Sequence, residues 1–247
     1  MKTLSLALSL LLITNAALFA QSGMTIKSGG AVTVNGNLII TTIPFVCGTP
    51  FTDNRDGKTY NTVQIGTQCW FAQNLNYGTR IDGVVEQTNN SVPEKYCYDN
   101  FEYNCNVYGG LYQWDEAMQY DSIEGVKGIC PTGWHLPANS DWAVLTDLLG
   151  GLEIAGGEMK EAGYAHWGSP NTDATNSSGF TALPGGMRLD DGSFDGLANY
   201  AFFWSSSRGE GNWAWNHYLT YDGGYIGSGS SGYDYTPYGL SVRCVKE

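Results

Sequence analysis

Gly128-Ile129-Cys130-Pro131-Thr132-Gly133-Trp134-His135-Leu136-Pro137, running on into Ala138-Asn139-Ser140-Asp141-Trp142, is the stretch on which the fold turns. Pro131-Thr132-Gly133 reads as a turn, and the residues up to Pro137 as a short strand. The period then changes. Trp142, Leu145, Leu148 and Leu149 recur at three- and four-residue steps, which predicts an amphipathic helix. Asn139 or Ser140 can cap its N-terminus, and Gly150-Gly151 stops it.

Working outward, residues 59–65 and 68–71 read as strands around Gly66-Thr67. Residues 78–94 are polar and irregular, a loop. Residues 111–120 have helical spacing, with Leu111, Trp114, Ala117 and Met118 on one face. A short helix is expected over 158–162. Beyond Trp167 the text changes to short strands, at 202–206, 212–215 and 239–245, separated by Gly, Ser, Asp and Tyr. Helices in one half and strands in the other predict an α+β domain rather than alternating α/β.

The N-terminus differs. Lys2, an apolar run over 4–13 and the small residues Ala16, Ala17 and Ala20 predict a signal peptide over 1–20, cleaved after Ala20. Its apolar core is too short to cross a bilayer, and no later run predicts an integral membrane segment. In 21–46, Ala31-Val32-Thr33-Val34 and Leu38-Ile39-Ile40-Thr41 flank Asn35-Gly36, which predicts a β-hairpin arm with a tight turn. That arm is a candidate assembly strand through residues 22–46. The main domain is expected over 47–247.

Acidic residues outnumber basic ones 24 to 12, for a net charge of −12. This balance argues against nucleic acid and anionic lipid as partners. Gly (33), Tyr (16) and Trp (8) are abundant while charged residues are only 15% of the chain, the composition of a loop-rich extracellular domain. The six cysteines, Cys47, Cys69, Cys97, Cys105, Cys130 and Cys244, form an even set, which in an exported chain predicts disulfides. Zinc binding is the rival, but no pair has CxxC spacing. Spacing leaves the pairing open.

Several ordered segments carry a resemblance. They are Asp56-Gly57-Lys58-Thr59-Tyr60-Asn61-Thr62-Val63-Gln64-Ile65-Gly66, Gln68-Cys69-Trp70-Phe71-Ala72-Gln73-Asn74-Leu75, Gly109-Gly110-Leu111-Tyr112-Gln113-Trp114 and the opening stretch at 128–137. Ser178-Gly179-Phe180-Thr181-Ala182-Leu183-Pro184-Gly185-Gly186-Met187-Arg188, Phe203-Trp204-Ser205-Ser206 and Gly239-Leu240-Ser241-Val242-Arg243-Cys244-Val245 complete the set. From about Cys47 onward the chain resembles the Fibrobacter succinogenes major paralogous domain, a family of exported bacterial domains. That family looks like a branch of the C-type-lectin-like and formylglycine-generating-enzyme-like superfamily. The resemblance implies a C-type-lectin-like fold: two helices, short twisted antiparallel sheets and long loops. It also implies the pairs Cys130–Cys244, Cys97–Cys105 and Cys47–Cys69. One departure shows at Ala138-Asn139-Ser140-Asp141, where related segments read as a Ser/Thr-Asp-Ala-Glu capping box, so the helix start is expected to shift by a residue.

No catalytic motif emerges. His135, His166 and His217 are isolated, with no HExxH or CxxC…H spacing. His135 reads as structural; His166, beside Trp167, is a weaker ligand-contact candidate. Gly227-Ser228-Gly229-Ser230-Ser231-Gly232 matches GxGxxG but lacks a strand-to-helix context, and reads as a flexible loop. With every cysteine bridged, the thiol chemistry of the formylglycine-generating branch is not implied. Scattered carboxylates do not define a glycosidase pair. Asp53-Asn54-Arg55-Asp56-Gly57 and Asp190-Asp191-Gly192 hint at calcium loops but read better as β-turns. The Glu-Pro-Asn, Gln-Pro-Asp and Trp-Asn-Asp signatures of calcium-dependent lectins are absent, so no cofactor is expected.

The richest segment is 212–238. Trp213, Trp215, His217, Tyr218, Tyr221, Tyr225, Tyr233 and Tyr235 are expected to form a ligand-binding face, set among Gly, Ser, Asn and Asp. Aromatic area at low entropy cost beside adaptable polar groups is the palette of a recognition surface. Trp204, Trp213 and Trp215 are expected mostly in the core, and Tyr218, Tyr221, Tyr225 and Tyr233 outside. The expectation is a secreted or cell-surface module, periplasm being the other compartment, that binds a glycan or an extracellular protein. A structural assembly role and a carbohydrate-active enzyme are the alternatives.

Overall fold

The computed structural model describes residues 16–20, 24–26, 32–34, 38–42 and 45–246, with backbone alone for the N-terminal strands and for 228–234. Residues 1–15 of the expected leader and the Asn35-Gly36 turn lie outside the described residues. The chain divides into two units, Met1–Val46 and Cys47–Glu247.

In the first unit Met24–Ile26 pairs antiparallel with Val32–Val34, and Ala16–Ala20 with Leu38–Thr42. The two strands read as one hairpin therefore take different partners. The ladder against Ala16–Ala20 gives all five residues of Leu38–Thr42 a cross-strand partner, which three-residue Val32–Val34 cannot do. Ala16–Ala20 falls within the expected leader, so this pairing belongs to the chain before any cleavage.

The second unit is α+β. Thr62–Ile65 (β1) and Gln68–Phe71 (β2) form the expected hairpin. Glu102–Tyr108 (α1), Leu111–Tyr112 (β3) and Trp114–Ala117 (α2) follow. The helix expected over 111–120 is thus a short strand and one helical turn, although Trp114, Ala117 and Met118 are buried as its spacing required. Asn139–Leu148 (α3) matches the predicted helix, and Leu152–Met159 (α4) begins before the expected 158–162. Ala138 takes the N-cap position of α3. Asp141 accepts a hydrogen bond from the Ala138 N–H at 2.8 Å, the acidic half of a capping box without its hydroxyl half. Burial alone would raise the Asp141 pKa. Hydrogen bonds from His135, Ala138 and Gln68 outweigh it and hold the carboxyl below its ordinary value.

Gly185–Arg188 (β4), Phe194–Leu197 (β5), Tyr200–Arg208 (β6), Trp213–Thr220 (β7), Ile226–Tyr235 (β8), Leu240–Ser241 (β9) and Val245–Lys246 (β10) complete the unit. β6 is the hub of the main sheet. β7 runs antiparallel to it and β8 to β7, while β4 and β9 each make a parallel pairing with β6. β10 pairs with β2 in a smaller sheet. The Gly/Ser run 227–232, read as a loop, lies within β8, because the exposed edge of β7 supplies a ladder that local propensity does not foretell. Cysteines join as Cys47–Cys69, Cys97–Cys105 and Cys130–Cys244, the pairs the resemblance implies. The last closes 114 residues, a loop whose chain-entropy contribution is about 4–5 kcal/mol.

The core is centred on Trp142 of α3, whose ring sits 5.0 Å from Trp70, 5.6 Å from Phe203 and 4.6 Å from His217, the last stacked on it. Beside it lies Arg243, completely buried. Its guanidinium donates to Asn74 Oδ1 at 2.8 and 3.0 Å and to the carbonyls of Phe71 (3.0 Å), Phe180 (2.6 Å) and Thr181 (3.2 Å), with the Phe180 ring 4.3 Å away. Burial lowers its pKa, yet the group stays charged at neutral pH.

Two outcomes are expected. Arg243→Met strands these acceptors and should destabilise the domain by roughly 3 kcal/mol or more in urea unfolding; a loss under about 1 kcal/mol would show that the acceptors find other partners. His217 carries a pKa lowered to about 3 by burial, against an ordinary value of 6.5. Between those values the unfolded chain binds the proton and the folded one does not, so stability falls as pH drops below 6.5. From pH 6.5 to 4.5 the loss is roughly 2–3 kcal/mol. His217→Phe, which keeps a ring on Trp142, should flatten that part of the acid profile; an unchanged profile would place the proton elsewhere.

Candidate functional site

Period-two alternation sorts β6 into a buried face, Ala201 and Phe203, and an outward one, Tyr200 and Phe202. β7 is less regular. Its register against β8 shifts between Trp215 and His217, and its register against β6 shifts in the same region. The extra residues lie on the partner strands, two on β6 and three on β8, and across this break Asn216 and His217 both turn inward while Trp213, Trp215 and Tyr218 share the outward side. Strict alternation would have put His217 outside with the tryptophans. The structure corrects that expectation: His217 is 4% exposed, stacked on Trp142, with Nε2 3.3 Å from Asn139 Oδ1. It is a core residue and touches no ligand surface.

On the outward side the rings form a row. Tyr200 stacks on Phe202 at 5.7 Å, Phe202 lies 6.1 Å from its cross-strand partner Tyr218, and Tyr218 meets Tyr225 edge-on at 6.4 Å. Opposite Tyr218 on β8 stands Gly227, where an added Cβ would sit 2.1 Å from the Tyr218 ring. The Tyr218 ring therefore rests on bare backbone. Tyr225 does the same over Gly223, at 2.4 Å from an added Cβ. Burial, with Tyr225 beside it, holds the Tyr218 phenol above its ordinary pKa, so it is a neutral donor and acceptor at physiological pH.

A second group lies at the other end of β7, where Trp213 is 5.8 Å from Tyr235, itself 6.0 Å from Tyr238. Trp213 is 48% exposed, against the expectation of a core position, and Trp215 is half-buried; only Trp204 is fully buried. Tyr221 is half-buried and packs against the core, its backbone joined to Asn199 and Thr172, so it leaves the row. The side chain of Tyr233 lies outside the described residues. Tyr200 and Phe202 were missed, though their alternation with Ala201 and Phe203 was legible.

The turn that carries Tyr225 is held from below. Lys160, fully buried, donates to the carbonyls of Thr220 (2.9 Å), Gly223 (2.7 Å) and Thr172 (2.8 Å). Burial lowers its pKa to about 8, with Asp173 and Asp222 opposing, so it remains mostly charged at pH 7. Gly156 and Gly157 of α4 bring the helix against this turn, with Gly157 N–H donating to Gly224 O at 2.7 Å. A Cβ at Gly156 would meet Tyr225 O at 2.1 Å.

The other flagged residues are occupied internally. Arg55 clamps the Asp53 carboxylate at 2.6–3.0 Å, and Asp191 accepts from Ser193 N–H at 2.9 Å, so both segments are turns. His166 pairs with Glu161 at 2.8 Å, and His135 lies 3.3 Å from Asp141. Among the described residues no helix is long and apolar enough to cross a membrane.

The Fibrobacter succinogenes major domain model matches residues 63–246. No curated protein and no solved structure matches the chain. The match spans both strands of the first hairpin, the α3 core, the aromatic sheet and the last strand, and the chain belongs to the Fibrobacter succinogenes major domain family.

Proposed function

We propose that the domain is an exported, lectin-like binding module that recognises a glycan on the outward aromatic side of β6, β7 and β8. The observation that carries this is the row Tyr200, Phe202, Tyr218 and Tyr225, with rings lying on glycine backbone and one turn locked by Lys160. Aromatic faces stack on the C–H faces of sugar rings while phenol hydroxyls reach their hydroxyls, and rings fixed before binding lose little entropy on contact. The acid-rich chain favours a neutral or cationic partner over an anionic one. Disulfides and the apolar N-terminus support export. The long bridge from Cys130, before α3, to Cys244, beside the last strand, supports the lectin-like placement. The polar groups so far described serve the fold, which favours binding over turnover.

The test is a polysaccharide and cell-wall glycan array with the oxidised protein, followed by calorimetry on any ligand found. Tyr218→Ala and Tyr225→Ala should each weaken binding about tenfold, and Trp213→Ala should extend the effect if the ligand spans both groups. Loss of binding in variants that keep the wild-type unfolding midpoint supports the glycan face. A folded protein silent on every glycan overturns it in favour of a protein partner.

A further inference from the structure

A cleft of about 420 Å³ opens between residues 58–61, the segment after β2, the C-terminal half of α1 and the loops at Glu161 and Thr181. Its size falls within the range of small-molecule sites, roughly 300–1,000 Å³. None of its lining belongs to the aromatic side of β6, β7 and β8.

The amides of this lining divide into two sets. Asn74 and Asn76 are buried and committed. Asn74 accepts from Arg243 and donates to Tyr108 O and Ser241 Oγ, while Asn76 accepts from Lys95. They form the frame. Asn61, Gln73 and Asn106 are exposed at the mouth. Gln73 Oε1 accepts from Asn61 N–H at 2.6 Å, which fixes the side chain and leaves its NH2 group to act as a donor. The Asn61 and Asn106 side chains offer the same paired donor and acceptor. Between these amides, Ala72, Val107 and Leu183 supply small apolar surface. Both charged groups on the lining have partners within the fold, Lys58 in Asp56 at 3.3 Å and Glu161 in His166 at 2.8 Å.

We propose that this amide-lined cleft is a second ligand site, and that it takes a neutral, hydroxyl-rich ligand, a saccharide unit. Neighbouring hydroxyls each donate and accept, as side-chain amides do, and a sugar's C–H face matches the small apolar floor. With both charged groups already engaged, the exposed amides are what the cleft offers a ligand, and these suit a neutral one. The site stands whether or not the aromatic face binds, since the two share no residue.

The experiment follows the side-chain NH2 resonances of Asn61, Gln73 and Asn106 in the full domain by NMR. Cellotetraose, xylotetraose and chitotetraose are titrated in turn, with a tetra-alanine peptide as control. At least one saccharide should shift these signals. Asn61→Ala/Asn106→Ala, confined to exposed side chains, should weaken the response read at the remaining Gln73 amide about tenfold. Tyr218→Ala/Tyr225→Ala should leave it unchanged. Silence of all three amides with every saccharide in a folded sample, or a response to the peptide alone, overturns the proposal. A response abolished by the tyrosine variant assigns the sugar to the aromatic face and also overturns it, whereas loss of the aromatic site alone leaves it intact.

Discussion

A guanidinium held by neutral acceptors ties this domain together. Arg243 reaches back to Phe71 and Asn74 after the first hairpin and across to Phe180 and Thr181 before the main sheet. Its neighbours in sequence work the same seam. Leu240–Ser241 pairs with Leu111–Tyr112, and Ser241 also meets Phe203 in the hub strand. Leu75 N–H donates to Val242 O and Phe71 N–H to Cys244 O, while Val245 pairs with Trp70 and bridges His135. Cys244 is bonded to Cys130. The six residues 240–245 thus close both sheets, so the fold has high contact order and depends on these late pairings.

The same solution recurs with other cations. Lys160 binds three carbonyls, Lys95 binds Asn76, and Arg188 donates to the carbonyls of Gly83 and Pro237 and to Glu86. All four cations are buried, out of only 12 basic residues in the chain. Arg243, Lys160 and Arg188 satisfy backbone carbonyls in loops and at strand ends, and Lys95 a buried side-chain amide, which is how a loop-rich domain meets much of its buried hydrogen-bonding demand. Asp53, Glu116 and Asp141 are buried as well, so the solvent-facing side keeps the acidic balance of the composition. Long-range attraction for anionic polymers is correspondingly weak.

Legibility followed the range of the interaction. α3 was readable because Trp142 and Leu145 repeat with the helix period and both are fully buried. The β1–β2 hairpin was readable because its turn is local. His217 was misplaced because a bulge, set by pairing with two other strands, shifts the faces of β7 by one residue. The Gly/Ser run was misread because its strand character comes from the β7 edge. The N-terminal pairing departed from the Asn-Gly signal for the same reason. The cleft was invisible because Asn61, Gln73 and Asn106 lie far apart in sequence and carry no motif.

Where recognition sits on such a scaffold follows from rigidity. A Tyr on a free loop would have to be ordered on contact, at a cost of about 1 kcal/mol or more for the side chain and its backbone. Tyr218 and Phe202 are already fixed as cross-strand partners, and Gly227 removes the side chain that would lift Tyr218 off the sheet. Tyr225 stands on a turn, the one member of the row outside a strand, and it is this turn that Lys160 and the two glycines of α4 grip. A buried three-carbonyl clamp therefore supports the one residue of the row that no strand holds. Gly156 and Gly157 weaken α4 as a helix by roughly 0.5–1 kcal/mol each, a sacrifice of local stability that makes sense where the turn above must be held against the helix.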